Sequence, residues 1–273
     1  MVVVKLIGGL GNQMFQYAAA KALALHTKHE LRLDLSGFED YKLRAYGLHH
    51  FNINAKPFKQ KSKWIRKLEN KLKLTTYYNE QSFRFNPEVF NIINKNIRLQ
   101  GYFQAEDYFI TYRNDILNDF KIVSPLKKQT QNLMVEMAKT NAVSIHIRRG
   151  DFLTHEVHNT SKEEYYKEAM TFIESKIEQP TYYVFSDDMD WVKANFKSNH
   201  KAVYVDFNDA STAFEDIKLM SNCQHNIIAN SSFSWWAAWL NTNLNKIVIA
   251  PKQWFNGEQY DYTDVVPKPW IKL

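Results

Sequence analysis

Short apolar runs alternate with helical patterns over the second half of the chain. Strand-like runs occur at residues 143–147, 182–185, 203–205, 226–229 and 247–250. Apolar residues recur at helical spacing in residues 162–177, 189–196, 212–223 and 233–240. Apolar strands that alternate with helices are typical of a doubly wound parallel sheet. We therefore predict a Rossmann-like domain over residues 127–251.

The first third of the chain opens with a strand–helix–strand pattern. The pattern predicts strands at residues 2–7 and 31–35, with a glycine turn (GGLG, residues 8–11) and a helix at 12–26 between them. The middle, residues 41–126, reads as irregular, basic and aromatic, with one more strand at 97–101. A proline after a strand-like run marks a boundary. We predict an α/β domain over residues 1–126, with the tail, 252–273, packing back onto it.

Unusual polar residues follow the predicted strands of the second domain. They are His146, Arg148, Arg149 and Asp151, then Ser186, Asp187 and Asp188, then Asp206, and finally Asn230, Ser231 and Ser232. Ligands of doubly wound sheets bind beyond the carboxyl ends of the strands. The clustering therefore predicts a binding site at one edge of this sheet.

Two adjacent arginines end the first of these strands, in the sequence VSIHIRRGD. Arg148 and Arg149 could present planar forks to the oxygens of a diphosphate. The alternative is a structural ion pair with Asp151 or with a carboxylate at the end of the neighbouring strand. The anion interpretation of the arginine pair is favoured.

The sequence NSSFSWWAAWL carries a second candidate anion site. Ser231 and Ser232 stand where a strand gives way to a helix, and a helix N-terminus with free N–H groups and hydroxyls binds anions well. The alternative is an ordinary helix cap, which also favours serine. Opposite the arginines, these serines would hold the other end of a diphosphate.

Two aspartates in FSDDMD, Asp187 and Asp188, suggest either a divalent ion or a strand end followed by a helix cap. We favour the cap, with both side chains near the site and no metal required. No GxxxxGK[ST] motif occurs, which disfavours a P-loop enzyme. GGLG is a poor dinucleotide motif, but Asn12 and Gln13 after it could face a cleft.

Three further residues are candidates for acid–base or binding roles. His155 and Glu156 lie just beyond the arginines, where a general base would be well placed, although a solvated loop is the commoner fate of such residues. Asp216 lies within a predicted helix. It is either exposed there or turned inward toward a ligand.

The positive charge is concentrated in one segment. The net charge is +6, but residues 56–74 hold seven lysines and one arginine against one glutamate. This confinement disfavours a nucleic-acid-binding protein. Trp64, Ile65, Leu68 and Leu72 recur there at helical spacing, which predicts a basic amphipathic helix. Such a helix suits an anionic membrane surface or a binding partner, and the alternative is an ordinary solvated surface helix.

The single cysteine, Cys223, excludes an internal disulfide and fits a reducing compartment. The N-terminus reads as a buried strand rather than a signal peptide, and no window is apolar enough for a membrane span. We expect a cytoplasmic protein, with the inner face of the membrane as a further option.

Four motifs together resemble the bacterial α-1,2-fucosyltransferases of glycosyltransferase family 11. They are LIGGLGNQMFQYAAAKALA, HIRRGD, FSDD and NSSFSWWAAWL, in that order from Leu6 to Leu240. The resemblance implies a GT-B-like fold with two Rossmann-like domains facing a cleft. It also implies transfer of L-fucose from GDP-fucose to the 2-hydroxyl of a galactose, with inversion and without a required metal.

The resemblance also implies individual roles. His146, Arg148, Arg149 and Asp151 match the family's arginine motif, and Ser231, Ser232 and Phe233 match its serine motif. More distant fucosyltransferases hold guanine with a helix aspartate sixteen residues before the phosphate-binding serine, which is the spacing of Asp216 and Ser232. Glu156 matches their base, but their accompanying lysine is Phe152 here, which leaves the base open.

The resulting prediction is a metal-independent galactoside 2-α-L-fucosyltransferase whose acceptor is a galactose-containing oligosaccharide or a lipid-linked glycan. The predicted catalytic residues are Arg148, Glu156 and Asp151. The alternatives are fucosyl transfer with another linkage or acceptor, such as an O-antigen or capsule repeat, a metal-dependent sugar transferase built on FSDDMD, and a nucleic-acid-binding module.

Overall fold

The computed structural model describes residues 1–38, 45–59, 62, 64–65, 69, 71–72, 74–150, 162–257 and 259–273. The chain forms two compact units. The first comprises Met1–Val123 and Asp261–Val265, and the second comprises Ser124–Tyr260 and Val266–Leu273.

The first unit is built on a parallel sheet of five strands in the order β3-β2-β1-β5-β4. The strands are β1 (Val2–Lys5), β2 (Leu31–Asp34), β3 (Lys56–Pro57), β4 (Thr75–Asn79) and β5 (Asn96–Gln100). Helices α1 (Leu10–Thr27) and α2 (Arg113–Asp119) accompany the sheet, with several short 3-10 helices. The central strand β1 is buried because its valines pack against α1, which itself buries Met14, Phe15 and Leu23.

The second unit is a parallel sheet of six strands in the order β11-β10-β9-β6-β7-β8. The strands are β6 (Asn141–Ile147), β7 (Pro180–Ser186), β8 (Ala202–Tyr204), β9 (His225–Ile227), β10 (Val248–Ala250) and β11 (Ile271–Lys272). The chain runs outward from β6 to β8 and then returns to the other side of β6 with β9. This order is the doubly wound order of Rossmann folds, with a switch point between β6 and β9.

Five helices cover the two faces of this second sheet. They are α3 (Lys128–Met137), α4 (Glu163–Glu174), α5 (Met189–Asn195), α6 (Ala213–Asn222) and α7 (Ser232–Leu240). Helices α4 and α5 pack in a core with Ile145 and Ile147 of β6. Helices α3, α6 and α7 pack in a second core that contains Tyr183 and Phe185 of β7. The predicted fold class is confirmed: the protein is α/β and GT-B-like, with two parallel Rossmann-like sheets.

The structure corrects the prediction for the middle of the chain. The predicted strand at residues 97–101 is present as β5, but residues 41–126 also contain β4 and α2, which were not predicted. Strand β4 has the sequence TTYYN and is an edge strand with no fully buried residue, so it lacks the apolar run that marks a buried strand. Lys56–Pro57 forms strand β3, while Trp64, Ile65, Glu69 and Lys71 are helical.

The predicted packing of the tail is also corrected. Of residues 252–273, only Asp261–Val265 belong to the first unit. The last residues pair as β11 with β10, and the Lys252 N–H donates to the Leu273 carbonyl. The tail therefore completes the second sheet, because β10 would otherwise expose an unpaired edge. Within the described part of the chain, no helix is long and apolar enough to cross a bilayer.

Candidate active site

The candidate site lies where the sheet of the second unit changes direction. Strands β6 and β9 are parallel neighbours, with Ile145 opposite Ile227, so their carboxyl ends meet at the same edge. Arg148 follows β6, and Asn230 and Ser231 follow β9 at that edge. The switch point of a doubly wound sheet is where ligands bind.

Both arginines form ion pairs across the ends of β6 and β7. Arg148 Nη1 lies 3.1 Å from Asp187 Oδ2, and Arg149 Nε lies 3.2 Å from Asp188 Oδ2. The pairs follow from the register, which places Ile147 opposite Ser186. The alternative considered from the sequence, an ion pair with the neighbouring strand end, is thus present in this structure. A guanidinium carries five N–H donors, so an ion pair through Nη1 does not by itself exclude an anion.

Arg149 is held on several sides. Its guanidinium carbon lies 3.4 Å from the centre of the Trp191 ring, and its backbone N–H donates to Asp187 Oδ1 at 2.9 Å. Asp188 also caps α5, accepting from the Trp191 N–H at 3.3 Å. These contacts give Asp187 and Asp188 a structural role in holding the arginines, and they favour the helix-cap interpretation of FSDDMD.

Gly150 is required by the close approach of Asp187. A Cβ at position 150 would lie 2.2 Å from Asp187 Oδ2 and 3.1 Å from its Cγ. That carboxylate cannot move freely, because it holds both Arg148 and the Arg149 N–H. The glycine of HIRRGD therefore permits the arginine–carboxylate network to close.

His146 is a buried neutral side chain beside α7. It is 4% exposed, and its ring centre lies 5.7 Å from that of Phe233. Burial, together with the charge of Arg148, lowers the pKa of His146 to about 3. Its Nδ1 is buried and has no hydrogen-bond partner among the described residues. The structure thus places the arginine motif directly against the serine motif through His146 and Phe233.

The two serines at the start of α7 differ. Ser231 is the N-cap: it is 8% exposed, and its hydroxyl accepts from the Phe233 N–H at 3.3 Å. Ser232 is the first helical residue and is half-buried, and its hydroxyl bonds to no described residue. The cap interpretation therefore holds for Ser231, whereas Ser232 has a hydroxyl available at the helix N-terminus.

Asp216 lies in the first turn of α6, turned inward. Helices α6 and α7 pack against each other, and both begin at the carboxyl edge of the sheet. The Asn208 amide donates to Asp216 Oδ1 at 2.7 Å. Burial raises the pKa of Asp216 to about 7, against the opposing effects of Asn208 and Lys127. The half-buried Asp216 carboxylate and the N-terminus of α7 therefore lie on the same face of the second sheet, at its carboxyl edge.

In the first unit, Gln13 has a structural role. It is fully buried, and its amide donates to the carbonyls of Gly8 and Ala45 and accepts from the Gly47 N–H. The prediction that it faces a cleft is wrong, because every polar atom of its side chain is used to join two loops. Asn12 is half-buried and accepts from the Gln104 amide at 3.0 Å.

A cavity of about 260 Å³ opens beside the arginines on the side of α4 and α5. Arg148, Arg149, Tyr166 and Trp191 contribute to its wall. The arginine pair therefore borders open space on that side, while His146 faces α7 on the other.

Three of the predicted residues, Asp151, His155 and Glu156, lie outside the described residues. In the part of the chain that is described, no group of three or more His, Cys, Asp or Glu could hold a metal ion. Three residues that sequence reasoning missed also belong here, namely Trp191, Lys127 and Asn208. No motif marks them, since their contacts join segments far apart in the sequence.

Similarity to known proteins agrees with this site. The family description "Glycosyl transferase family 11" matches residues 1–273. The chain is 31% identical to an alpha-1,2-colitosyltransferase of Escherichia coli, covering 100% of this chain and 99% of that protein. It is 34% identical to the O-antigen biosynthesis glycosyltransferase WbnK of Escherichia coli, covering 98% and 99%.

More distant similarity extends to animals and to solved structures. The chain is 23% identical to the galactoside 2-alpha-L-fucosyltransferase SEC1 of Bos taurus, covering 85% of this chain and 62% of that protein. The structure of fucosyltransferase NodZ from Bradyrhizobium superposes with a TM-score of 0.51 at 15% identity, covering 86% and 90%, and shares the fold. Because the family match spans the whole chain, the resemblance predicted from the four motifs is confirmed, and the chain belongs to glycosyltransferase family 11.

Proposed function

We propose that this family 11 enzyme transfers L-fucose from GDP-β-L-fucose to the 2-hydroxyl of a terminal galactose on a glycan, with inversion and without a metal. The observation that carries the proposal is the meeting of three groups at one edge of the second sheet. These are the arginine pair after β6, the N-terminus of α7 after β9, and the Asp216 carboxylate in the first turn of α6. A single nucleoside diphosphate could interact with all three groups, since its diphosphate accepts hydrogen bonds from the arginines and the helix N-terminus and its base can donate to the carboxylate.

The chemistry of the leaving group explains the cationic end of the site. Transfer of a sugar from GDP leaves a diphosphate whose charge must be stabilised as the glycosidic bond breaks. The Arg148 guanidinium and the free N–H groups of α7 would supply that stabilisation. His146, which burial keeps neutral, would pack beside the diphosphate without adding charge.

The acceptor hydroxyl needs a general base, because an inverting transfer leaves its proton behind. We propose Glu156 for this role, with Asp151 as the other carboxylate of the same segment and His155 on the acceptor side. This part of the proposal rests on the resemblance alone. Replacing Glu156 with glutamine should remove transfer while leaving GDP binding unchanged.

The experiment that tests the function measures GDP release from GDP-fucose with and without a terminal galactoside, in EDTA. Acceptor-dependent release in EDTA and an α-1,2 linkage in the product would support the proposal. Release that requires added Mn²⁺ and is lost in Asp188→Ala would instead support a metal-dependent transferase. Absence of release with any galactoside would contradict it.

A second donor sugar is favoured by one of the relatives. The Escherichia coli relative that is 31% identical to this chain is an alpha-1,2-colitosyltransferase. The other Escherichia coli relative, WbnK, is an O-antigen biosynthesis glycosyltransferase. Colitosyl transfer to an O-antigen repeat is therefore the rival specificity. Parallel assays with the GDP-linked forms of fucose and colitose on the same acceptor decide between the two sugars.

We also propose that residues 56–74 bring the enzyme to anionic membranes at the cytoplasmic face, where lipid-linked glycans are assembled. The support is an apolar surface within a cationic segment, since Trp64 is 69% and Leu72 56% exposed. We expect the protein to cosediment with vesicles of anionic lipid, and the bound fraction should fall as the salt concentration is raised. Binding should be lost in the triple variant Lys56→Glu/Lys59→Glu/Lys71→Glu. Equal sedimentation of the two proteins would contradict it.

A further inference from the structure

Lys127, just before α3, is fixed by its contacts in the second unit. Its ammonium donates to the Phe207 carbonyl at 2.9 Å, to Asn208 Oδ1 at 3.1 Å and to Thr212 Oγ1 at 3.2 Å. Its backbone N–H donates to Glu215 Oε2 at 3.0 Å. Because an ammonium has three N–H donors, these contacts use all of them and leave one orientation.

The lysine in turn sets the orientation of Asn208. An ammonium can only donate, so the carboxamide oxygen must face Lys127, and the amide nitrogen must point away from it. That nitrogen donates to Asp216 Oδ1 at 2.7 Å. Lys127, Asn208 and Asp216 therefore form a chain of hydrogen bonds with a single direction.

Asp216 retains a free acceptor edge at the end of this chain. Its Oδ2 receives no hydrogen bond from any described residue, and the side chain is half-buried rather than enclosed. Three charged groups act on it from the surrounding elements: Lys127 before α3, Asp209 in the loop after β8, and Glu215 on α6. Lys127 is the cation among them, and it favours the ionised carboxylate.

We propose that Lys127 and Asn208 are positioning residues that keep the Asp216 carboxylate ionised and aimed at the guanine of the donor nucleotide. The inference rests on the proposed function, since it assumes that the nucleotide is GDP. Guanine offers two adjacent N–H donors, N1–H and N2–H, to a carboxylate. Adenine offers a donor beside an acceptor, which a carboxylate cannot match.

The test measures the Kd of GDP by calorimetry as a function of pH, in the wild type and in Lys127→Met. GDP should bind best where Asp216 is ionised, and burial raises the pKa of Asp216 to about 7. Loss of the lysine charge should move the pH midpoint of GDP binding upward. Near neutral pH the variant should bind GDP roughly tenfold more weakly than the wild type, and at alkaline pH its affinity should return to that of the wild type. Lys128→Met, the exposed neighbour, is the matched control and should leave the midpoint unchanged.

A second variant keeps the proposal testable if Lys127→Met does not fold. Asn208→Ala leaves the lysine in place but removes the donor to Asp216, and it should also raise the midpoint. Both variants should narrow the preference for GDP over IDP, which lacks the N2–H group. Asp216→Asn should remove the part of the pH dependence that this carboxylate contributes.

The outcomes separate this inference from the proposed function. If the wild type binds no GDP at any pH, the proposed donor is wrong. If the wild type binds GDP but both variants keep the wild-type midpoint and the wild-type preference over IDP, the positioning role is overturned. If Lys127 and Asn208 had a purely structural role, the variants would have a lower free energy of unfolding but would keep the wild-type pH midpoint of GDP binding and the wild-type preference for GDP over IDP.

Discussion

At the scale of single residues, Arg148 carries the main prediction. Loss of one donor to developing charge typically costs about 2–4 kcal/mol of transition-state stabilisation. We expect Arg148→Ala to lower kcat/KM for the donor by roughly 30- to 1,000-fold. Arg84→Ala, a largely exposed arginine of the first unit, is the control. Activity of Arg148→Ala within tenfold of wild type would remove it from the proposed role.

Gly150 and Asp187 should be coupled. We expect Gly150→Ala to destabilise the protein and lower activity, because the new methyl group displaces the carboxylate that holds Arg148. In Asp187→Ala that clash disappears, so the double variant should be more stable than the sum of the single effects predicts, by about 0.5–3 kcal/mol. Urea unfolding of all four proteins measures the coupling. Strictly additive effects would show that the contact carries no strain.

At the scale of elements, α7 separates stability from binding. Ser231→Ala removes the cap on the Phe233 N–H and should lower the free energy of unfolding by about 1 kcal/mol. Ser232→Ala removes a hydroxyl that no described residue uses. It should leave stability nearly unchanged and weaken GDP binding roughly tenfold. Thermal unfolding and calorimetry measure the two effects, and the reverse pattern would contradict this division.

The arginine–aspartate network also belongs to this scale, because it joins the ends of two strands. The network consists of four side chains and one backbone N–H, and its Asp187 carboxylate lies against Gly150. Because Trp191 and Asp188 hold Arg149, that residue positions the network. Arg148, whose side chain is 19% exposed, borders the cavity, and it is the arginine that we propose binds the donor diphosphate.

At the scale of the whole molecule, stability should depend on pH through a buried neutral histidine. The pKa of His146 is lowered to about 3 from its ordinary 6.5, mainly by burial and also by Arg148. Between these values the unfolded chain binds a proton that the folded chain does not. The free energy of unfolding should therefore fall as the pH drops through that window, by about 1.4 kcal/mol per pH unit.

His146→Asn tests this dependence. The variant should lose about 2 kcal/mol less stability than wild type between about pH 7.5 and about pH 5, measured by urea unfolding. His225, whose pKa burial also lowers, leaves a residual slope. Equal slopes for the two proteins would mean that His146 ionises in the folded state.

The sequence by itself determined the regular elements, because their signals are local. Apolar runs marked β6 and β7, helical spacing marked α6 and α7, and motif order identified the family. Strand-end placement located Arg148 and Ser232 at one edge, since parallel strands share a carboxyl edge, whereas Asp216 was predicted from its spacing to Ser232 in the family resemblance. Elements without a local signal, such as the exposed edge strand β4 and the two-residue strand β11, were missed.

Only the tertiary structure decided which polar side chains are hydrogen-bonded or ion-paired to each other. The pairing of Arg148 with Asp187 depends on the register of β6 against β7. The burial of Gln13 depends on loops 34 residues away in sequence. The link from Lys127 to Asn208 spans 81 residues. A hydrogen bond or ion pair forms wherever the folded backbone brings a donor and an acceptor together. The residues next to either partner in the sequence do not determine how close the two partners lie in the folded protein.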